Sequence, residues 1–418
     1  MHVTMIIQAY LPHVGGAERQ LAALAPLLRA RGVDVSIVTR RYPGMARFER
    51  IDGVPVHRLP VPGPKPTASL AFTLGALPLL RRLRPDVIHA HELLSPTTTA
   101  VAARRWLGVP VVAKVLRGGL LGDVAKLDRK PLGRLRLQTF RRQVDGFVVI
   151  SREIDQELAA RGIGPEKRFF IPNGVDTARF APVTVAEKRR LRQELGLDAG
   201  ELAVFTGRLA AEKQLDKLIA LWPQVRACYP GAVLLLVGTG PEAARLAELA
   251  GPGVQFTGRV ADVAPYLQAA DLFVLPSATE GLSNALLEAL AAGLPAIATC
   301  VGGAPDVITD QTSGWLLPPD APPWQWLEAI LSLLALADKR AHLGSNGRQK
   351  VVADYGLAAT ADALVALYGG VRADLAGVYA EGTQRSTKKH EGRRGHQQHQ
   401  ASRKVFARLA ATLRSLRS

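Results

Sequence analysis

The sequence predicts an α/β protein built from two doubly wound parallel-sheet domains that face each other across a cleft. Three observations carry that expectation. Short apolar runs alternate with longer helix-like runs. The alternation breaks once, at a turn-rich stretch over residues 171–183. A second, similar series then begins. Strands alternating with helices imply a parallel sheet covered on both faces.

In the first series the strands are "HVTMIIQAY" (2–10), "VDVSIVTRR" (33–41), "VPVHRLPV" (54–61), "DVIHAHE" (86–92), "PVVAKVLR" (110–117) and "GFVVIS" (146–151). Helix-like segments lie between several of them, such as "AERQLAALAPLLRARG", which ends on Gly32 as helices often do. "IPNGVDTARFAPV" (171–183) holds two prolines and an Asn-Gly, the marks of a connection. The second series reads "LAVFTGRL" (202–209), "AVLLLVGTG" (232–240), "VQFTGRV" (254–260), "DLFVLPS" (271–277), "PAIATCVGG" (295–303) and "GWLLPP" (314–319). The expected division is a first domain over 1–172, a linker over 173–185 and a second domain over 186–357. A helix over 358–380 returns toward the first domain, and a basic tail covers 381–418. Open sheets of this kind bind ligands at the carboxyl ends of their strands, so chemistry is sought in the strand-end loops.

The 418 residues are 48% hydrophobic, ample for packed cores, and carry a formal charge of +17. Such a balance attracts polyanions: nucleic acid, anionic lipid or phosphorylated substrates. Two isolated cysteines, Cys228 and Cys300, make neither a disulfide framework nor a metal pattern, and point to a reducing compartment. "MHVTMIIQAY" has no basic leader or cleavage site. The longest apolar run, "PTASLAFTLGALPLL" (66–80), is too short to span a bilayer, contains Pro78 and meets Arg81 and Arg82. From about Glu381 the chain is polar, repetitive and basic, the composition of a disordered segment. Its last residues place Phe406, Leu409, Leu413 and Leu416 on one helical face, with Arg403, Lys404, Arg408, Arg414 and Arg417 mostly elsewhere. A tethered basic amphipathic helix suggests an anchor on an anionic membrane surface, against the alternatives of docking on its own protein or on nucleic acid.

Three loops carry candidate chemistry. "LPHVGGAERQ" (11–20) follows the first strand, and Gly15 and Gly16 let a phosphate or sugar approach the backbone at a helix amino terminus. It is not G-x-G-x-x-G, which disfavours a nicotinamide or flavin site, and no P-loop motif exists. In "FTGRLAAEKQLDKLI" (205–219), Arg208 and Lys213 lie in a strand-to-helix loop, where two cations suit a diphosphate. In "ATEGLSNALLEALAAGLP" (278–295), Ser283 is a good N-cap, Glu280 precedes it and Glu288 stands about a turn inside the helix. The backbone N–H groups of Leu282, Ser283 and Asn284 lie between the two acids, free to hold phosphate oxygens. Carboxylates accept hydroxyl donors, so Glu288 suits a ribose and Glu280 a sugar. Taken singly, Glu280 reads as a helix-start acid and Glu288 as an exposed helix residue.

Together these stretches resemble the retaining nucleotide-sugar glycosyltransferases of the GT-B fold, family GT4. "EGLSNALLE" resembles that family's E-x7-E motif. "GGAER" (15–19), "IPNGVD" (171–176), "GRLAAEKQLDKLI" (207–219), "VGTGPE" (237–242), "VQFTGRV" (254–260) and "GGAPDVI" (302–308) appear in the family's order, over roughly residues 1–375. The resemblance implies that Arg208 and Lys213 hold the diphosphate and Glu288 the ribose. It places Gly238, Gly240, Arg259 and Val260 around the base, and Glu280 on the donor sugar. The amides from Gly281 through Asn284 then place sugar and phosphate, Gly15 and Gly16 close over the phosphates, and the acceptor lies in the first domain. It implies no metal and no cofactor, since cations stabilise the leaving diphosphate. Uridine diphosphate sugars rank first as donors and guanosine diphosphate sugars second. The acceptor is expected to be a lipid-linked or envelope glycan at the cytoplasmic face of the membrane. Many relatives carry a histidine after the strand "PVVAKVLRGG", where this chain has Leu116 and Arg117. Arg117 and Gly118 are therefore candidates for the acceptor or sugar pocket, with His91 of "DVIHAHE", although packing is the expected role for at least one of His89 and His91. The alternatives are a transferase for a soluble acceptor, a non-catalytic nucleotide-sugar binder, and a nucleic-acid binder resting on charge alone, for which no reader motif exists.

Overall fold

The computed structural model describes residues 1–375 apart from 14, 62–64, 131, 198–199 and the side chains of 65 and 66. The basic tail expected over 381–418 and its amphipathic stretch lie outside the described residues. The chain divides into two compact units, Met1–Tyr368 and Gly369–Ser418. Of the second, residues 369–375 are described and are helical.

The first unit holds two sheets. One contains β1 (His2–Ile6), β2 (Asp34–Arg41), β3 (Phe48–Ile51), β4 (Val54–Pro60), β5 (Val87–His91), β6 (Val111–Lys114), β7 (Gly146–Val149) and β8 (Arg168–Phe170). Their order is β3-β4-β2-β1-β5-β6-β7-β8. The other contains β9 (Leu202–Thr206), β10 (Val233–Val237), β11 (Val254–Gly258), β12 (Leu272–Leu275), β13 (Ala296–Thr299) and β14 (Trp315–Leu317), in the order β11-β10-β9-β12-β13-β14. All pairings are parallel except β3 with β4. Strands β5, β6, β7, β9, β10, β12 and β13 are buried at every residue, as befits sheets covered by helices on both faces. This is the two-sheet α/β architecture that the alternating pattern predicts.

Two strands escaped the sequence reading. β3, with the sequence FERI, is an edge strand of exposed and half-buried residues, so its pattern lacks a buried face. It reaches β4 through Asp52 and Gly53, both at positive φ (49° and 76°), the backbone of a tight hairpin. β8 has three residues, too few to register a period. The strand expected over 110–117 stops at Lys114, and Val115 to Arg117 belong to the following loop. The apolar run 66–80 lies within the helix Lys65–Leu83. Among the described residues, no helix is long and apolar enough to cross a membrane.

Residues 171–183 carry the chain from one sheet to the other. Val175 bonds through its backbone to Tyr355 (2.9 Å) and Leu357 (3.0 Å), joining the outgoing and returning segments. Residues 357–368 are helical and rest on the first sheet's side. Arg31 pairs with Asp362, and the Tyr368 hydroxyl lies 2.7 Å from His89 Nδ1.

In each sheet the strand order reverses beside the first strand, between β1 and β5 and between β9 and β12. Loops leaving the carboxyl ends of such neighbours run in opposite directions and open a crevice. The candidate residues fall largely on these loops.

Candidate active site

At the β9/β12 crevice, two loops bring Lys213 and Glu280 into contact. The loop after β9 runs through Arg208 into a single 3-10 turn, Ala211–Lys213. The loop after β12 carries Ser277 and Glu280. Lys213 Nζ donates to the Glu280 carboxylate, and Ser277 Oγ donates to the same oxygen at 2.7 Å. The side chains of Lys213 and Glu280 are only 14% and 9% exposed, so each charge is held by the other rather than by water. Arg208 faces solvent and donates to Glu212 Oε1 at 2.8 Å. Arg117 Nη1, from the opposite half, stands 4.0 Å from that same oxygen. Burial pushes the Glu212 carboxyl up, but its backbone hydrogen bond and the two guanidinium groups hold it below the usual range. Sequence reasoning missed Glu212, because its meaning depends on two arginines from different segments.

The next turn leads into the helix Asn284–Ala291. Ser283 caps it as expected, its Oγ accepting the Leu286 N–H at 3.3 Å. Among the described residues no protein acceptor meets the N–H groups of Leu282, Ser283 or Asn284, which leaves a helix-end set of donors. Glu288 is half-buried, not exposed. Burial pushes its carboxyl up to about 7, Arg19 and Arg179 pull it back, and Asp262 adds to the rise.

Close backbone approaches explain several glycines. A Cβ on Gly238 would lie 1.9 Å from the Gly207 carbonyl, and one on Gly240 2.1 Å from that of Leu209. These two glycines let the loop after β10 lie directly on the loop that carries Arg208. A Cβ on Gly281 would meet the Leu116 carbonyl at 2.0 Å, so the two halves touch at the turn after Glu280. Gly303 N–H donates to the Gly281 carbonyl at 2.6 Å, which gives "GGAPDVI" its place as a brace beneath that turn. Arg259 is exposed and Val260 half-buried in the loop after β11.

On the facing side, Gly15 caps the helix Gly16–Ala30, and the Gly16 carbonyl accepts from Asn284 Nδ2 at 2.9 Å. The Glu18 carboxylate folds back over Gly15, where an added Cβ would lie 2.5 Å from it; burial raises its pKa. Arg117 and Gly118 follow β6. Asp123, unnoticed in the sequence, shapes the loops after β5 and β6 by accepting from Leu93 N–H (3.3 Å) and Leu116 N–H (3.0 Å). His91 is buried and stacks on His89 at 4.5 Å between ring centroids. Burial drives both imidazoles down, His89 to about 3, so both are neutral. Glu92, next in line, holds a positive φ of 94° and accepts from Gln8. Burial and then the neighbouring Asp123 push its carboxyl up to about 7.

The structure therefore brings Lys213 against Glu280 and the turn 281–284 against Gly16, with Glu288 on the following helix beside Arg19 and Arg179. Residues 14–179 match "Glycosyltransferase Family 4", and residues 200–336 match "Glycosyl transferases group 1". The chain is 33% identical to a GDP-mannose-dependent alpha-mannosyltransferase of Mycobacterium tuberculosis, over 82% of this chain and 92% of that protein. The chain belongs to glycosyltransferase family 4. This transferase is also 32% identical to a D-inositol 3-phosphate glycosyltransferase of Segniliparus rotundus, over 88% of this chain and 87% of that one. Among solved structures, sucrose-phosphate synthase of Thermosynechococcus elongatus superposes with a TM-score of 0.76 at 24% identity, covering 89% of the transferase and 99% of the synthase. Anabaena HepE in complex with UDP gives 0.72 at 20% identity, covering 88% and 100%. These likenesses fix the fold as GT-B.

Proposed function

We propose that this transferase moves a hexosyl group, with retention, from a nucleoside diphosphate sugar to a hydroxyl of a cell-envelope glycolipid or glycan. The observation that carries the reading is the convergence of Lys213, Glu280, free helix-end amides and Glu288 at the β9/β12 switch point. In the free protein Lys213 and Glu280 satisfy each other. An arriving diphosphate takes the Lys213 donors and releases Glu280 to accept sugar hydroxyls. Arg208 can turn from Glu212 to the phosphates because it is exposed and held by one ion pair. As the anomeric bond breaks, negative charge grows on the departing oxygen, and Lys213, Arg208 and the amides of 282–284 stabilise it in place. The acceptor attacks on the face from which the diphosphate leaves, and a phosphate oxygen takes its proton. The proposed reaction uses no metal and no cofactor. Glu288 ionises as it accepts ribose hydroxyls.

GDP-mannose ranks ahead of the UDP-sugars in this proposal, reversing the order read from sequence, because the 33%-identical relative is named for that donor. The inositol phosphate named for the 32%-identical relative supports a polyol-phosphate or phospholipid acceptor. Such an acceptor, with the charge of +17, favours work at an anionic membrane surface on its cytoplasmic side. The test is thermal shift with a panel of nucleoside diphosphates and nucleotide sugars, on wild type, Glu288→Ala and Lys213→Ala. A shift with one base, lost in both variants, is the expected result. No shift with any of them overturns the donor-site reading.

A further inference from the structure

Lys114 is a buried cation that, among the described residues, pairs with no carboxylate. It ends β6, is 3% exposed, and stands opposite His91 in the strand register. Among the described residues the one hydrogen bond of its ammonium goes to Asn173 Oδ1, at 2.8 Å. An ammonium only donates, so Asn173 turns its oxygen to Lys114 and its nitrogen away. That nitrogen donates to the Leu282 carbonyl (3.2 Å) and to Asn284 Oδ1 (3.0 Å). Asn284, its oxygen thus engaged, turns its own nitrogen to the Gly16 carbonyl at 2.9 Å. One ammonium therefore decides the orientation of two amides in series. The series runs from the first sheet, through the linker, to the first residues of two helices, Asn284–Ala291 and Gly16–Ala30.

We propose that Lys114 is a positioning residue for the transfer reaction. Through Asn173 and Asn284 it sets the turn 281–284 and the Gly15–Gly16 loop in the mutual orientation that the donor's phosphates require. What the two helix ends hold rests on the donor-site reading above; the relay does not. A buried cation with one neutral partner costs stability; replacing it by an apolar group removes that cost but leaves the Asn173 oxygen unpaired, so the two effects oppose. The groups facing it fit the role: His89 and His91 are neutral and Tyr368 caps His89, so no second charge competes for Asn173. Burial alone lowers Lys114 to about 8, so its proton leaves at mildly alkaline pH.

Lys114→Met keeps the stem and removes the ammonium. The expected result is a melting temperature close to that of wild type. Amide hydrogen exchange should be at least tenfold faster across 16–19 and 281–286, and turnover at least tenfold lower. The alkaline fall in wild-type turnover near pH 8 should be absent from the variant. Asn173→Asp, which keeps a partner for Lys114 but removes both N–H donors, should show the same faster exchange. Unchanged exchange at both segments overturns the proposal, as does a lowered melting temperature with unchanged turnover per folded molecule. Glu288→Ala in the same series separates the two readings. Undiminished nucleotide binding in that variant, beside altered exchange in Lys114→Met, removes the donor-site reading and leaves the relay standing.

Discussion

At the β9/β12 edge four charged groups come as opposite pairs, Lys213 with Glu280 and Arg208 with Glu212, and Glu288 alone is held mainly by burial. At the edge formed by β1, β5 and β6 they come singly and buried. Glu92 is pushed up to about 7, Lys114 is pulled down to about 8, and His89 and His91 are neutral. The pairs can exchange partners: an incoming anion replaces a carboxylate beside a cation, and the displaced carboxylate must find donors in the incoming ligand. Among the described residues these groups make no close ion pair, Lys126 and Arg40 acting on Glu92 only at a distance, and their local order depends on hydrogen bonds to amides and backbone. Under the proposed function, one edge is suited to accept and release a charged leaving group. The other is built to hold still.

Lys213→Ala breaks the paired edge and should have the largest effect. Losing a donor aimed at developing charge costs about 10²–10³ in turnover. Glu280 would also remain buried without its cation, and breaking a buried pair costs on the order of 3–5 kcal/mol. Turnover within tenfold of wild type, with an unchanged melting curve, would show that the pair is only structural. Glu288→Ala comes next. Losing a charge-assisted hydrogen bond of about 1.5–3 kcal/mol weakens nucleotide affinity roughly ten- to a hundredfold. The same group gives a pH signature. Its folded-state pKa, about 7, lies above the unfolded value, so its contribution to stability is full below the unfolded pKa and is lost as pH rises through about 7. Donor affinity runs the other way, rising between pH 6 and 8 as the carboxylate forms. Titration calorimetry with the nucleoside diphosphate on wild type and Glu288→Gln checks this; a matching pH slope in both proteins would assign the effect to another group.

The paired edge was the more readable of the two. Ser283 before an apolar helix is a local signal, and the cap forms as that signal says. The loop positions of Arg208, Lys213 and Glu280 follow from strand ends alone. Their pairing does not, because Lys213 and Glu280 are 67 residues apart and meet only because β12 lies beside β9. The other edge was nearly unreadable. Asn173 sits in a stretch read as a turn and as a family motif with no role assigned to it, yet it bonds to Lys114, Leu282 and Asn284. Asp123 and Glu92 likewise acquire meaning from neighbours that are distant in sequence. Glycines fall between these cases. The Asp52-Gly53 hairpin was a local cue passed over, whereas Gly281 is explained only by a carbonyl from the other half.

Gly281→Ala tests whether the two edges must touch. A methyl there would lie 2.0 Å from the Leu116 carbonyl, a backbone atom with no rotamer to yield. The halves must part by more than an ångström at that point, so turnover should fall at least tenfold while nucleotide binding to the second half stays within a few-fold. Equal losses in both would place the damage inside the second half instead. Arg117→Ala should have the smallest effect. Its guanidinium is 27% exposed on the side chain and stands 4.0 Å from Glu212, a distance at which partly screened pairs contribute about 0–1 kcal/mol. That pair nevertheless crosses from one edge to the other and shares its oxygen with Arg208. Removing Arg117 leaves Glu212 wholly to Arg208 and makes Arg208 slower to turn toward the phosphates. The expected result is a few-fold loss in kcat/KM for the donor, shrinking as salt screens the charges. If both kinetic constants match wild type at low and high salt, the cross-cleft pair has no part in the reaction, and the two edges are coupled by the contact at Gly281 and the Lys114–Asn173–Asn284 series.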